Sequence, residues 1–165
     1  MTIRDATLDD APRMADIVTA AWRHAYRGVI PDDVLDREWH DIRTARVRNR
    51  MARGLNFVAV DDRVIGFAST APPRHGCDAE IDGLYVDPLA ARAGVGRALV
   101  AHTCAALAID NKRTLYIATL RDNRIGRAFY GKLGGRLVDA DPWTFDGATY
   151  PSVGYAWDDL RTLTA

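Results

Sequence analysis

The spacing of apolar residues divides the chain into alternating strand-like and helix-like segments. Residues 2–6 read as a short strand. Asp9 or Asp10 can cap the next segment, with Pro12 in its first turn. Met14, Ile17, Val18, Ala21, Trp22 and Ala25 then recur at helical intervals, and Gly28 ends the run. Pro31 and Asp32 open a second helical stretch, clearest over residues 42–51 and stopped by Gly54. Residues 55–60 and 64–71 predict two strands, and the short turn Asp61-Asp62-Arg63 makes them a hairpin. Residues 79–87 form a fourth strand, ended by Pro88. A loop with Gly94 and Gly96 leads into a helix that places Ala98, Leu99, His102, Ala105, Ala106 and Ile109 on one face. Residues 114–120 give a fifth strand, and 123–133 a short helix stopped by Gly134-Gly135. Residues 136–140 and 152–157 are strand-like, with Trp143, Phe145 and Tyr150 in the connection between them.

This alternation predicts an α/β or mixed α+β fold. A length of 165 residues fits one domain over residues 1–165. With 48% hydrophobic and 27% charged residues the composition excludes a disordered, collagen-like or coiled-coil chain. Twenty-two basic residues balance 22 acidic ones, so no net field draws the protein to nucleic acid or to an anionic membrane. No run approaches the roughly 18 apolar residues of a membrane span. The first ten residues lack a signal-like apolar core. Two cysteines, Cys77 and Cys104, are too few for a disulfide scaffold, so a cytoplasmic protein with free thiols is expected. The four histidines show no metal-binding spacing, and no metal is expected.

The chemistry begins at Leu84-Tyr85-Val86-Asp87-Pro88-Leu89-Ala90-Ala91-Arg92-Ala93-Gly94-Val95-Gly96-Arg97, where a strand ends, a glycine loop turns and a helix starts. Amides in a first helical turn are unpaired and lie at the positive end of the helix dipole, which suits a phosphate. Arg92 and Arg97 can add charge-assisted bonds. The segment matches neither nucleotide pattern tested. Gly96 is followed by Arg97-Ala98 and not by Lys-Ser/Thr, and the third residue after it is Leu99 and not glycine.

One helix and one strand later comes Asn123-Arg124-Ile125-Gly126-Arg127-Ala128-Phe129-Tyr130-Gly131-Lys132-Leu133-Gly134-Gly135. Together the two segments resemble the acetyl-coenzyme A core of the GNAT-type N-acetyltransferases, closely over residues 79–139 and loosely over most of the chain. The chain departs from the family pattern in carrying Ala91 where a Gln or Arg is usual and in the shifted Gly126-Arg127-Ala128. The resemblance implies a twisted, mixed sheet of six or seven strands flanked by about four helices. It implies that the fourth and fifth strands open into a V that receives the pantetheine arm of acetyl-coenzyme A. The backbone of Leu84, Tyr85 and Val86 would line it, and the Val86 amide would hold the thioester oxygen as negative charge develops there. Arg92, Ala93, Gly94, Val95, Gly96 and Arg97 would hold the pyrophosphate, and Asn123 would bond the pantetheine region. Tyr130 stands at the family's general-acid position, where it would protonate the departing thiolate.

An amine acceptor must also lose a proton. Glu80 and Asp82, two residues apart on one strand and so roughly 7 Å apart, are the candidate bases. Ala79-Glu80-Ile81 also resembles the stretch where the histone-acetylating branch keeps its glutamate, and Gly83 can mark a bulge there. The ribosomal-protein branch places a glutamate where this chain has Ala118. Trp22, Tyr26 and Trp143 are candidate acceptor-binding walls, since aromatic rings suit a small amine. The expected reaction is acetyl transfer to a primary amine, that of a small molecule, by direct attack. Peptide acetylation and a non-catalytic acyl-coenzyme A sensor remain the alternatives. A homodimer is compatible with the resemblance.

Overall fold

The structure, a computed structural model, describes residues 1–164. Nine strands and five α-helices follow one another as β1 (Thr2–Asp5), α1 (Ala11–Ala25), α2 (Asp32–Asp36), α3 (His40–Met51), β2 (Asn56–Asp61), β3 (Arg63–Ala71) and β4 (Ala79–Val86). Then come α4 (Val95–Ile109), β5 (Leu115–Leu120), α5 (Arg124–Lys132), β6 (Arg136–Val138), β7 (Trp143–Phe145), β8 (Ala148–Tyr150) and β9 (Ser152–Trp157). Seven strands form one mixed sheet in the order β1-β2-β3-β4-β5-β9-β6, and β7-β8 pair separately as a hairpin. Every neighbouring pair is antiparallel except β4-β5.

Two layers cover the sheet. Met14, Ile17, Val18 and Trp22 of α1 pack with Val34 and Leu35 of α2, Val47 of α3, Val58 and Phe67 of the sheet and Phe145 of the hairpin. Val100, Cys104 and Leu107 of α4 pack on the opposite face with Ile81, Ile117, Tyr155 and Tyr130. Leu99 and Val95 extend this second core over Phe57 and Ala68. Burial of such apolar stripes is the main favourable contribution to folding.

Most predicted elements are present, with three corrections. The second helical stretch is two helices, because Arg37 and Trp39 adopt non-helical backbone between them. The buried stripe of α4 is Val95, Leu99, Val100, Thr103, Cys104 and Leu107. Ile109 is 81% exposed and His102 lies outside, so the predicted face was rotated. In an alanine-rich helix, several alternative stripes satisfy the spacing, and tertiary contacts choose among them. Trp143, Phe145 and Tyr150 lie in the β7-β8 hairpin, a pairing too short to show as a periodic pattern.

Candidate active site

β4 and β5 run parallel but pair only at Ala79 with Leu115 and at Glu80 with Tyr116. β4 continues to Val86 and β5 to Leu120 without another pairing. The strands therefore fork beyond Glu80, and half-buried Leu84, Tyr85 and Val86 have no β5 ladder beside them. Backbone groups left open at such an edge bind an extended ligand as an added strand would be bound.

The turn after β4 is held from both sides. The Asp87 carboxylate accepts from the Leu89 amide at 3.0 Å and from Arg13 Nη2 at 2.5 Å, which ties the turn to α1. Arg92 and Gly94 both adopt left-handed backbone, with φ of 68° and 78°. Gly94 is the N-cap of α4 and no side chain caps that end, so the first-turn amides point out of the protein. A Cβ at Gly94 would meet nothing within 4 Å; conformation, not space, calls for glycine there. Gly96 is the reverse case: its Cβ would lie 3.3 Å from Phe129 Cζ and 3.7 Å from Val86 Cγ2. It lets α4 approach α5 at the fork. Ala91, Arg92, Ala93 and Arg97 are exposed, whereas the Val95 side chain is buried in the core. This loop presents amides and positive charge, and its donor set fits a diphosphate.

Glu80 sits at the vertex of the fork and is only 3% exposed. Its Oε1 lies 3.8 Å from Arg74 Nη1, and Oε2 is buried with no protein partner among the described residues. Burial raises the Glu80 pKa; Arg74 opposes the rise and Asp82 adds to it. The β3-β4 register passes from Thr70–Ile81 to Ser69–Gly83, which makes Asp82 the extra residue of a β-bulge beside Gly83. The bulge reverses the alternation. Ile81, Leu84 and Val86 pack on the α4 side, while Tyr85 packs against Phe67 with the α1 core. Asp82 lies 3.4 Å from Arg50 Nε and 3.3 Å from Arg53 Nη1.

Tyr130 is 7% exposed and rests on Tyr155, Phe129 and Trp157 at ring distances of 5.4, 5.4 and 6.5 Å. Burial holds its hydroxyl protonated well above the ordinary tyrosine range, and nearby Tyr26, Tyr85 and Tyr155 reinforce this. The same neighbours place the ring beside β4 and α1 at the fork. Asn123 is more engaged than its motif suggests. Its Oδ1 accepts from the Gly126 amide at 2.9 Å and caps α5. Its Nδ2 donates to Thr119 Oγ1 at 2.9 Å and to the Tyr26 hydroxyl at 3.3 Å. The side chain thus links β5, α5 and α1.

The three aromatic candidates come together: Trp22 lies 5.6 Å from Tyr26 and 4.9 Å from Trp143. Sequence reasoning missed the arginines around them. Arg50 and Arg53 bind Asp82, Arg74 approaches Glu80, and Arg43 stacks on Trp22 at 4.8 Å. Arg43, Val47 and Arg50 recur at helical spacing, which was a visible signal, but arginine at such positions ordinarily marks a solvated face.

Residues 12–135 match the model of the acetyltransferase (GNAT) family. An uncharacterized N-acetyltransferase of Bacillus subtilis, YuaI, is 30% identical over 172 residues, covering 99% of this chain and 96% of the relative. The PaiA N-acetyltransferase of Thermoplasma acidophilum, solved with coenzyme A, is 18% identical over 94% of this chain and 98% of its own, with a TM-score of 0.74. YncA of Salmonella typhimurium, a putative acetyltransferase solved with acetyl-coenzyme A, is 22% identical over 96% of this chain and 93% of its own, with a TM-score of 0.68. Sequence match, fold and forked sheet agree, and the chain belongs to the GNAT acetyltransferase family.

Proposed function

We propose that this protein transfers the acetyl group of acetyl-coenzyme A to the primary amine of a small molecule by direct attack in a ternary complex. The observation that carries the reading is the fork of β4 and β5, with buried Glu80 at its vertex and the Tyr130 ring at its side. The residues fit the donor. The amides after Gly94, with Arg92 and Arg97, suit the diphosphate, and the open edge at Leu84, Tyr85 and Val86 suits the pantetheine arm. The two neighbours solved with coenzyme A and acetyl-coenzyme A support the same donor. Acetyl-coenzyme A supplies an activated thioester when bound.

Glu80 takes a proton from the acceptor amine, directly or through water. Its raised pKa brings it nearer the operating range of a general base. Asp82, held by two arginines, adds to the rise of the Glu80 pKa. Tyr130 keeps its proton until a stronger base, the departing thiolate, develops beside it. Deep burial of Glu80 favours a small acceptor over a peptide strand.

Tyr130→Phe is expected to lower turnover about ten-fold or more, with the affinity for acetyl-coenzyme A little changed. Wild-type turnover in this variant would remove Tyr130 from the mechanism. Intact mass after incubation with acetyl-coenzyme A alone should show no acetylated protein.

A further inference from the structure

Among the described residues four charged side chains are buried: Asp10, Arg43, Glu80 and Asp87. Three have an opposite charge beside them. Arg4 lies 2.7 Å from Asp10, Arg13 lies 2.5 Å from Asp87, and Arg74 lies 3.8 Å from Glu80. Arg43, 4% exposed, has none among the described residues. Its Nη1 and Nη2 are buried without a hydrogen-bond acceptor. The nearby arginines, Arg23 and Arg46, add positive charge. Burial lowers the Arg43 pKa to about 10, so the group is still cationic at neutral pH. A buried charge without a counter-charge is costly, and proteins seldom retain one without use.

The indole beneath it shows the same deficit. The Trp39 indole donates to the Val34 carbonyl at 2.7 Å and that of Trp157 to the Leu133 carbonyl at 2.9 Å. The Trp22 Nε1 donor is buried with no acceptor. Arg43 and Trp22 therefore contribute donors only. This is the complement of an oxyanion.

The position of this donor set connects it to the reaction. Arg43 and Arg50 are seven residues apart on α3, about 10 Å along its axis and on one face. Arg50 reaches Asp82 and packs beside Gly83, while Arg43 is the member near Tyr85, farther along β4 in the fork. The acceptor face thus has two poles. At one, Glu80 Oε2 is a buried acceptor without a hydrogen-bond partner among the described residues, beside an Asp82 already paired with Arg50 and Arg53; at the other are the unpaired donors of Arg43 and Trp22.

We infer that Arg43 is a specificity-determining residue, and that the acceptor is an amine whose other end carries an anionic oxygen group, a carboxylate, phosphonate or sulfonate. This rests on the acetyl-transfer reading of the fork. The amine goes to the carboxylate pole and the acid group to the guanidinium, which binds it as a planar fork.

Matched acceptor pairs test it: leucine against isoamylamine, phenylalanine against phenethylamine, 4-aminobutyrate against butylamine, and taurine and 2-aminoethylphosphonate against ethanolamine. The wild type should prefer at least one acid-bearing member by about ten-fold to one hundred-fold in kcat/KM, the range expected for a charge-assisted hydrogen-bonded pair. Arg43→Met should reduce that preference to about three-fold or less, and Arg43→Lys should retain part of it. Thermal unfolding with coenzyme A bound gives a second readout: the same acid should raise the midpoint of the wild type and not of Arg43→Met. Arg43→Met itself should unfold no lower than wild type, since it replaces a buried charge that has no counter-charge with an apolar chain that can still pack on Trp22. Equal use of neutral and acidic acceptors, a preference that survives Arg43→Met, or no acid that raises the midpoint would overturn the inference. Absence of acetyl-coenzyme A binding in calorimetry would instead overturn the acetyl-transfer reading.

Discussion

The two sides of the fork are built from different materials. On the side proposed for the donor the groups on offer are main chain: the open edge of β4 and the first-turn amides of α4 behind a left-handed Gly94. On the side proposed for the acceptor they are side chains drawn from α1, α3, β4 and the β7-β8 hairpin. A site made of amides is indifferent to many side-chain changes as long as the backbone path is kept. That explains how Ala91 stands where the family pattern has a longer polar residue. A site made of side chains depends on what each one packs against, so substitutions there change chemistry before they change shape.

The largest effect should come from the acceptor side. Glu80→Gln keeps the volume at the vertex and removes the proposed base. It should lower kcat/KM by about one hundred-fold while calorimetry with coenzyme A is unchanged. A variant that also lost coenzyme A would show that the two sides are not separable. The converse experiment is Gly94→Ala. No clash is involved, but a non-glycine residue at φ 78° costs about 1–2 kcal/mol. Relief of that strain would draw the α4 amides out of line, so coenzyme A affinity should fall by about ten-fold. The ratio of kcat/KM values between two acceptors should stay constant. A changed ratio would mean that the loop also shapes the acceptor site.

The same division explains what the sequence revealed. The family was legible because the proposed donor side leaves a short main-chain signature: Pro88, Gly94 and Gly96 lie close together in one loop, and the Asn123 to Gly135 segment lies one helix and one strand away. The fold was legible for a related reason, since periodicities of two and 3.6 record which faces are covered. Even so, Gly96 serves α4–α5 contact, and the Asn123 amide is spent on the α5 cap and Tyr26. The acceptor side was legible only in fragments. Trp22 and Trp143 are 121 positions apart and meet because the hairpin folds over α1. The spacing of Arg43, Val47 and Arg50 sets the buried Arg43 apart from the exposed Arg48, but nothing local in the sequence says that this face is covered, because that depends on α1 packing across from it. The bulge expected at Gly83 is present, with Asp82 as its extra residue.

The smallest effect is the most specific to Glu80, because it is a displacement of a pH limb with no required loss of rate at the plateau. Burial holds the Glu80 pKa above its ordinary 4.5, Arg74 pulls it down and Asp82 pushes it up. In the proposed mechanism the base form is the active one, so kcat/KM should rise as pH passes the Glu80 pKa. Arg74→Gln removes a stabilising cation and should move this limb to higher pH. Asp82→Asn removes a like charge and leaves Arg53 to act on Glu80 unopposed, so the limb should move to lower pH. An ascending limb set by the acceptor's own ammonium group would stay in place in both variants. Stability gives the same answer independently. Between 4.5 and the raised native value the folded protein holds a proton that the unfolded chain has released. The Glu80 contribution to stability therefore declines as pH rises through that window, and Glu80→Gln should abolish the decline. Opposite shifts in Arg74→Gln and Asp82→Asn, with a flatter stability profile in Glu80→Gln, would place the titrating base at the vertex of the fork.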